Sequence, residues 1–447
     1  MTLHEEAVAP LHLPEVGTPD FKAHAHERYA ALRARAPIHR VRMPDGSLGW
    51  LVVGYELART ALAHPLLSKD PAPFEEALRA SGRHILLAGS GFGGNMLMAD
   101  PPQHTRLRRL VSGAFTTGAV EALAPRVEEL AHQYIDTFAP RGETDLVTAY
   151  TGPLPMAVIC ELLGVPAERR DDLQSWTRAA MTNPSDRQRA SLLALNDYLR
   201  GLLEEKRHRP QDDLLSRLIA VRDEDDGRLS DAELLGTAVI LVAAGHETTV
   251  NLLGNALVAL LDHPDQARAL RMAPERIPGA VEEFLRYDAP VESSPTRFAT
   301  ERFTLDGAVI EPGDTVTVAL TSAGRDAQVE PGSDPGRLDV LRPNARHVSF
   351  GHGIHYCIGA PLARLEATVA LRILLTRLPD LEWARPAENV TWLPAGITRG
   401  PVRLPVRFTP VPSRPGTARR DAQRAGVPAP ITGQVGAHTR KPAVDGA

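Results

Sequence analysis

The sequence predicts a mainly α-helical protein with a minor β region, folded as one large helical domain with small antiparallel sheets. Three observations carry this expectation. Most of residues 100–290 place apolar side chains at helical spacing, punctuated by proline. Two stretches, "IHRVRMPDGSLGWLVVGY" at 38–55 and "RFTLDGAVIEPGDTVTVAL" at 302–320, instead read as short strands. No internal repeat or long linker divides the body of the chain, although 447 residues alone would allow about three domains.

Taken in order, residues 1–18 form an N-terminal extension, 19–409 the folded domain and 410–447 a tail. The first twenty residues lack the basic and apolar regions of a secretory signal. The first strand pair turns at Asp45-Gly46, the second group at Asp306-Gly307 and Pro312-Gly313. Between them, "AGSGFGGN" at 88–95 reads as a mobile loop. The tail has no aromatic residue and is rich in Pro, Gly, Ala and Arg. It is expected to be disordered, because it cannot bury enough apolar surface to offset the entropy of ordering.

Charge and cysteine content exclude several function classes. The formal net charge is −5, and the tail carries an excess of Arg and Lys, so the body is more acidic still. That argues against nucleic acid as the main partner. Two cysteines, Cys160 and Cys357, cannot build a disulfide framework. No run of eighteen apolar residues suggests a membrane span. A cytoplasmic monomer is expected.

Cys357 lies in "FGHGIHYCIG", 350–359, directly before a helical pattern carrying Leu362, Leu365, Val369 and Ile373. A helix N-terminus favours a thiolate over a thiol. Gly351, Gly353 and Gly359 let the backbone turn tightly and lie close against a large or flat partner. Four readings compete. Cys357 could be a small core residue, as Cys160 in "MAVICELLG" is expected to be. It could be a nucleophile beside His352 or His355, or a zinc ligand with both, although a fourth ligand is missing. It could also hold a haem iron through its thiolate. The loop alone leaves the choice open.

A second segment narrows it. In "SDAELLGTAVILVAAGHETTVNLLGNALVALLDHP", Ser230 and Glu233 form a capping box that starts a helix running to about Asp262. From Leu234 to Gly245 this helix is apolar or small on every face, so it is expected to be buried. In its middle sit His246, Glu247, Thr248 and Thr249, beside Gly245, whose missing side chain lets another body approach. A buried carboxylate is costly unless paired, hydrated or functional. An acid beside an alcohol in a dry cavity suits proton delivery.

Three segments together resemble a bacterial cytochrome P450: "FGHGIHYCIG", "AGHETT" and the Glu-x-x-Arg pair Glu283 and Arg286 in "EEFLR". The resemblance spans about Pro19 to Phe408 and implies the cytochrome P450 fold, with 19–409 as its catalytic domain. It implies that Cys357 is the iron ligand, shielded by Phe350, with Gly359 beside it and Ala244 and Gly245 against the haem. His104, Arg108, Arg297 and His355 match positions that hold the haem propionates. Arg337 is expected to complete a structural network with Glu283 and Arg286, while Leu338, Gly324 and Ala327 depart from the commoner family residues.

The resemblance also implies an activity. The chain would be a haem-thiolate monooxygenase with haem b, in which Thr248 contacts the oxygen side and Glu247 relays protons. Electrons would come from NAD(P)H through a ferredoxin reductase and a ferredoxin, with Arg106, Arg109, Arg364 and Arg372 as docking candidates. Apolar walls at 85–98, 173–200, Ala243–Ala244, 291–296 and 393–398 point to a hydrophobic small molecule. Hydroxylation or epoxidation of a polyketide- or macrolide-type natural product is expected. The alternatives are a haem-binding sensor or carrier without turnover and, more distantly, a cysteine hydrolase.

Overall fold

The computed structural model describes residues 13–80, 93–180, 185–224, 229–385 and 390–414. Residues 88–92 of the glycine-rich stretch and the tail beyond Arg414 lie outside them. Ten strands accompany the helices. They are β1 Ile38–Arg42, β2 Leu48–Val52, β3 Leu67–Ser68, β4 Glu143–Asp145 and β5 Arg297–Ala299, then β6 Phe303–Leu305, β7 Ala308–Ile310, β8 Thr315–Val318, β9 Glu382–Trp383 and β10 Pro405–Arg407.

The expected turns form. β1 and β2 pair antiparallel around Gly46, at φ +79°. β6 and β7 close through Asp306 and Gly307, both at positive φ, the backbone a tight two-residue hairpin needs. The main sheet, however, has strand order β1-β2-β8-β5-β3, with β2 and β8 parallel. It is therefore mixed rather than antiparallel throughout. The cause is long-range: β8 joins a hairpin some 260 residues earlier in the chain, a pairing that leaves no local pattern.

The helix Asp231–Asp262 forms the spine. Its capping box is complete: Glu233 N donates to Ser230 Oγ at 3.2 Å, and Ser230 N donates to Glu233 Oε2 at 2.8 Å. At about 1.5 Å per residue its 32 residues run roughly 48 Å. Helices Pro153–Leu163, Arg170–Ala180, Asp186–His208 and Ala360–Arg377 pack around it. Their apolar faces form the largest buried cluster, which includes Cys160.

Glu283 and Arg286 lie on helix Ile277–Tyr287 and are fully buried. All five N–H groups of Arg286 are satisfied. Nε and Nη2 reach Glu283 at 2.6 and 2.8 Å, and the rest reach the carbonyls of Gly324, Pro335 and Arg337 at 2.7–3.1 Å. The third side chain of this network is Arg342, whose Nε donates to Glu283 Oε2 at 3.1 Å. This corrects the expectation for Arg337, which is exposed and contributes its backbone carbonyl alone. Gly324 also gains a reason: a Cβ there would come within 2.3 Å of the Arg286 carbonyl oxygen.

Both termini of the folded body extend past the boundaries read from sequence. Val16 is buried, and Val16 N and Arg42 N exchange backbone bonds with Arg42 O and Pro14 O at 3.1 and 2.9 Å. At the other end Ser413 Oγ donates to Asp136 O, and Arg414 donates to the Asp136 carboxylate. The described residues 410–414 are therefore tied to the folded body through Asp136.

Replacing Arg286 by Met should lower stability by about 3–5 kcal/mol, because a buried carboxylate loses its counter-charge. Arg337→Ala should stay within about 0.5 kcal/mol, as expected of an exposed side chain. Parallel thermal unfolding of the two variants measures the contrast, and equal losses would contradict it.

Candidate functional site

The cysteine loop is shaped by its own backbone. Gly351 N donates to Val348 O at 2.8 Å, and Cys357 N donates to Phe350 O at 2.8 Å. Gly351 and Gly353 sit at φ +77° and +74°, a region side-chain-bearing residues avoid. Gly359 differs: its φ is −83°, and it is the residue at which helix Ala360–Arg377 begins. Phe350 is half-buried, packed near Tyr356 and beneath the Arg364 guanidinium at 4.6 Å.

Cys357 is exposed by surface area, yet packed protein crowds its sulfur on the loop side. That desolvation raises the thiol pKa. The Gly359 and Ala360 N–H groups, with Arg108 and Arg364, offset it only in part. Desolvation and the helix terminus thus act on the sulfur in opposite directions. Among the described residues no group of three His, Cys, Asp or Glu could hold a metal ion, so the zinc reading has no support.

Near the loop stands a set of buried nitrogens. His104, on helix Gln103–Ser112, is buried, and both its ring nitrogens lack a hydrogen-bond partner. His355 stacks against it at 4.3 Å, and its Nε2 is likewise unpartnered. Arg297, 4% exposed, makes only long contacts, to Pro295 O at 3.5 Å and Leu62 O at 3.3 Å. Its pKa falls to about 10 through desolvation. Arg108 is half-buried on the same helix face as His104. Desolvation and neighbouring cations push His355 down to about 3, so its imidazole is neutral.

Sequence reasoning missed Lys69. It is 2% exposed, and its Nζ donates to Thr296 O at 3.0 Å. Nothing in "LLSKDP" marks it, since its neighbours come from strands more than two hundred residues away.

On the long helix, Ala244 is exposed within an otherwise buried stretch, and Thr248 is half-buried one turn later on the same face. Thr248 Oγ1 donates to Ala244 O at 2.7 Å. Beside Gly245, the space a Cβ would take lies 3.1 Å from Ile159, so the body approaching there is helix Pro153–Leu163. Glu247 is buried, and burial raises its pKa against the pull of Arg178. His246 is buried with Nδ1 3.4 Å from Thr177 Oγ1 and Nε2 3.8 Å from Glu247. Its pKa is pushed down to about 3, again by burial, so it presents a neutral ring to Glu247.

Two other expected wall segments meet directly. Val291 bridges Thr398, and Glu292 N donates to Ile397 O at 2.8 Å. They are pinned by buried Lys22, whose Nζ donates to Glu292 at 2.9 Å and to the carbonyls of Gly396 and Thr398. Of the candidate docking cations, Arg364 forks onto Glu282, Arg106 pairs with Glu233 and Arg372 lies 3.5 Å from Glu128. Arg109 is exposed.

One thiol with open surface, two imidazoles with orphaned nitrogens and several buried cations form a coherent donor set. It suits a broad cofactor with a metal at its centre and carboxylates at its edge, which is the chemistry of haem.

The chain is similar to known proteins of one family. A family model described as Cytochrome P450 matches residues 167–380. The chain is 48% identical to "Cytochrome P450 monooxygenase PikC" of Streptomyces venezuelae, over 87% of this chain and 92% of that protein. It is 41% identical to the 6-deoxyerythronolide B hydroxylase of Saccharopolyspora erythraea, over 89% and 99%. Among solved structures, the tirandamycin C-bound P450 monooxygenase TamI superposes with a TM-score of 0.83 at 41% identity, over 88% of this chain and all of that one.

Glu247→Gln should stabilise the fold at neutral and higher pH. A carboxyl whose folded pKa is raised contributes stability below its unfolded value, about 4, and loses it as pH rises. The variant's advantage should therefore vanish near pH 4 and grow by up to about 1.4 kcal/mol per pH unit until Glu247's raised pKa is passed. Unfolding curves across pH 4–9 measure this, and a gap independent of pH would contradict it.

Proposed function

The chain belongs to the cytochrome P450 family, and from that premise we propose that it oxidises a polyketide- or macrolide-type natural product. It is a P450 monooxygenase, and the family implies a haem iron. The observation that carries the assignment of its site is the exposed Cys357 close in sequence to His355, whose ring meets His104, with buried ring nitrogens that lack hydrogen-bond partners. Cys357 holds the iron, Phe350 and Gly359 frame the sulfur, and His104, Arg108, Arg297 and His355 hold the carboxylate edge. Ala244 belongs to the haem-facing stretch of the long helix, whereas Gly245, expected beside it, turns toward Ile159 of helix Pro153–Leu163 instead. When bound, haem b supplies activation of dioxygen and transfer of one oxygen atom to a C–H bond or double bond.

The chain's own residues manage protons and exclude water. Glu247 holds a proton at its carboxyl to a higher pH than an exposed glutamate, because burial disfavours the anion. Thr248 has its own proton engaged by Ala244 O, which leaves the lone pairs of Oγ1 free to accept. Thr248 Oγ1 therefore accepts from a donor on its open face, and the Glu247 carboxyl gives its proton to the site and regains one from solvent. His246, neutral, adds no competing charge.

Similarity to a hydroxylase of 6-deoxyerythronolide B and to a structure bound to tirandamycin C supports the substrate class. Electrons arrive from NAD(P)H through a ferredoxin reductase and a ferredoxin. No helix among the described residues is long and apolar enough to cross a membrane, which is consistent with a cytoplasmic monomer acting on a diffusing substrate. Residues 19–409 hold the catalytic machinery. A sensor or carrier has no use for Glu247 and Thr248 at this depth.

The reduced, carbon-monoxide-bound protein should show the red-shifted Soret band of thiolate ligation, and Cys357→Ser should abolish it. A wild-type band typical of nitrogen ligation would refute the assignment.

Thr248→Ala should retain haem and consume reductant but divert it to hydrogen peroxide. Glu247→Gln should lower kcat by roughly a hundredfold with substrate affinity little changed. Unaltered product per electron in both variants would remove these residues from the proton path.

A further inference from the structure

Strand register sets up an electrostatic problem that the four residues matched to haem propionates do not resolve. β3 and β5 pair antiparallel, with Leu67 opposite Ala299 and Ser68 opposite Phe298. Lys69 directly follows Ser68 and Arg297 directly precedes Phe298, so two cations flank the end of this pair, and the charge of Arg297 acts on the Lys69 ammonium. Like charges so placed repel. Both side chains are buried, 2% and 4% exposed, where water screens little.

The local carboxylate does not balance them. Asp100 accepts from Ser68 Oγ and from the backbone N of Lys69, at 3.1 Å for the latter. It is one acid facing both Lys69 and Arg297, and it faces His104 as well. The ammonium itself reaches one neutral acceptor, the Thr296 carbonyl, although it can donate three hydrogen bonds. Residues 81–92 contain no Asp or Glu that could add a counter-charge. A buried ammonium in such company calls for an anion.

We propose that Lys69, buried beside Arg297 at the end of the β3–β5 pair, is a fifth propionate-binding residue whose ammonium pairs with a propionate of the bound cofactor. This rests on the haem reading above. The unpartnered imidazoles of His104 and His355 then contribute N–H donors, while Lys69, Arg108 and Arg297 contribute charge. Two propionates and Asp100 would match those three cations one for one.

The test compares wild-type holoenzyme with Lys69→Met and Lys69→Arg. Haem transfer to excess apomyoglobin should be roughly tenfold faster or more from Lys69→Met, the loss expected for one charged hydrogen bond. Lys69→Arg should release haem near the wild-type rate. In resonance Raman spectra the propionate bending band should move in both variants, while the porphyrin core bands stay fixed. Unchanged release from Lys69→Met overturns the proposal. So does faster release with an unmoved propionate band, which would mean that the lysine acts through the fold. Should Lys69→Met not yield holoenzyme, an unmoved band in Lys69→Arg is sufficient to reject it. A wild-type protein that binds no haem would instead remove the underlying reading, a separate and visible failure.

Discussion

Positive charge buried without matching carboxylate is the constraint on which this structure turns. Lys69 and Arg297 are both nearly inaccessible, and the imidazoles beside them leave three ring nitrogens without partners. Left alone, such groups destabilise a fold, since charge and unmet donors in a dry interior each cost free energy. Their concentration beside the one exposed cysteine is best understood as a site built for a large anionic-edged cofactor, with stability given up locally for binding. The low pKa values of His355 and Arg297 are symptoms of that crowding.

Holding such groups together requires a frame that is satisfied elsewhere. The Glu283–Arg286–Arg342 network supplies one: its central guanidinium has no free donor, and Glu283 also accepts from Asp339 N at 2.9 Å. It fastens helix Ile277–Tyr287 to the loop from Gly324 to Arg342, which leads into the cysteine loop. The same helix carries Leu285, whose carbonyl accepts from Ser349 Oγ at 2.6 Å, next to Phe350. A saturated polar network thus stands directly behind an unsaturated one. Lys22 plays a comparable part at the opposite edge, where it joins the 291–296 and 393–398 segments through Glu292.

What the sequence made legible follows the range of the interactions. The capping box, the Asp-Gly turns and the buried spine are written within a few residues of one another, and they stand as read. Cys160 is also where its apolar neighbours suggested. The parallel β2–β8 pair, the anchoring of Arg414 on Asp136 and the burial of Lys69 depend on residues far along the chain, and no local pattern announces them. Arg337 shows the same limit at short range. A motif placed an arginine near Glu283, but the chain turns so that Arg342, five residues later, delivers the side chain. At Cys357 the helix terminus and desolvation oppose each other, and sequence gives the sign of both but the size of neither.

The middle of the long helix shows how one element separates binding from proton handling. Ala244 and Thr248 present open surface on one face, whereas His246 and Glu247 turn into packed protein. Thr248 tied to Ala244 O is oriented without a second side chain, so its acceptor direction is set by the helix itself. Glu247 and His246 are shifted in opposite directions by the same burial, the acid toward its protonated form and the imidazole toward its neutral one. Both shifts remove charge from the helix interior, so neither group needs a counter-ion to stay there. The ring is held neutral far below its ordinary range, so of this pair the carboxyl of Glu247 is the group that keeps its proton to higher pH than an exposed acid would.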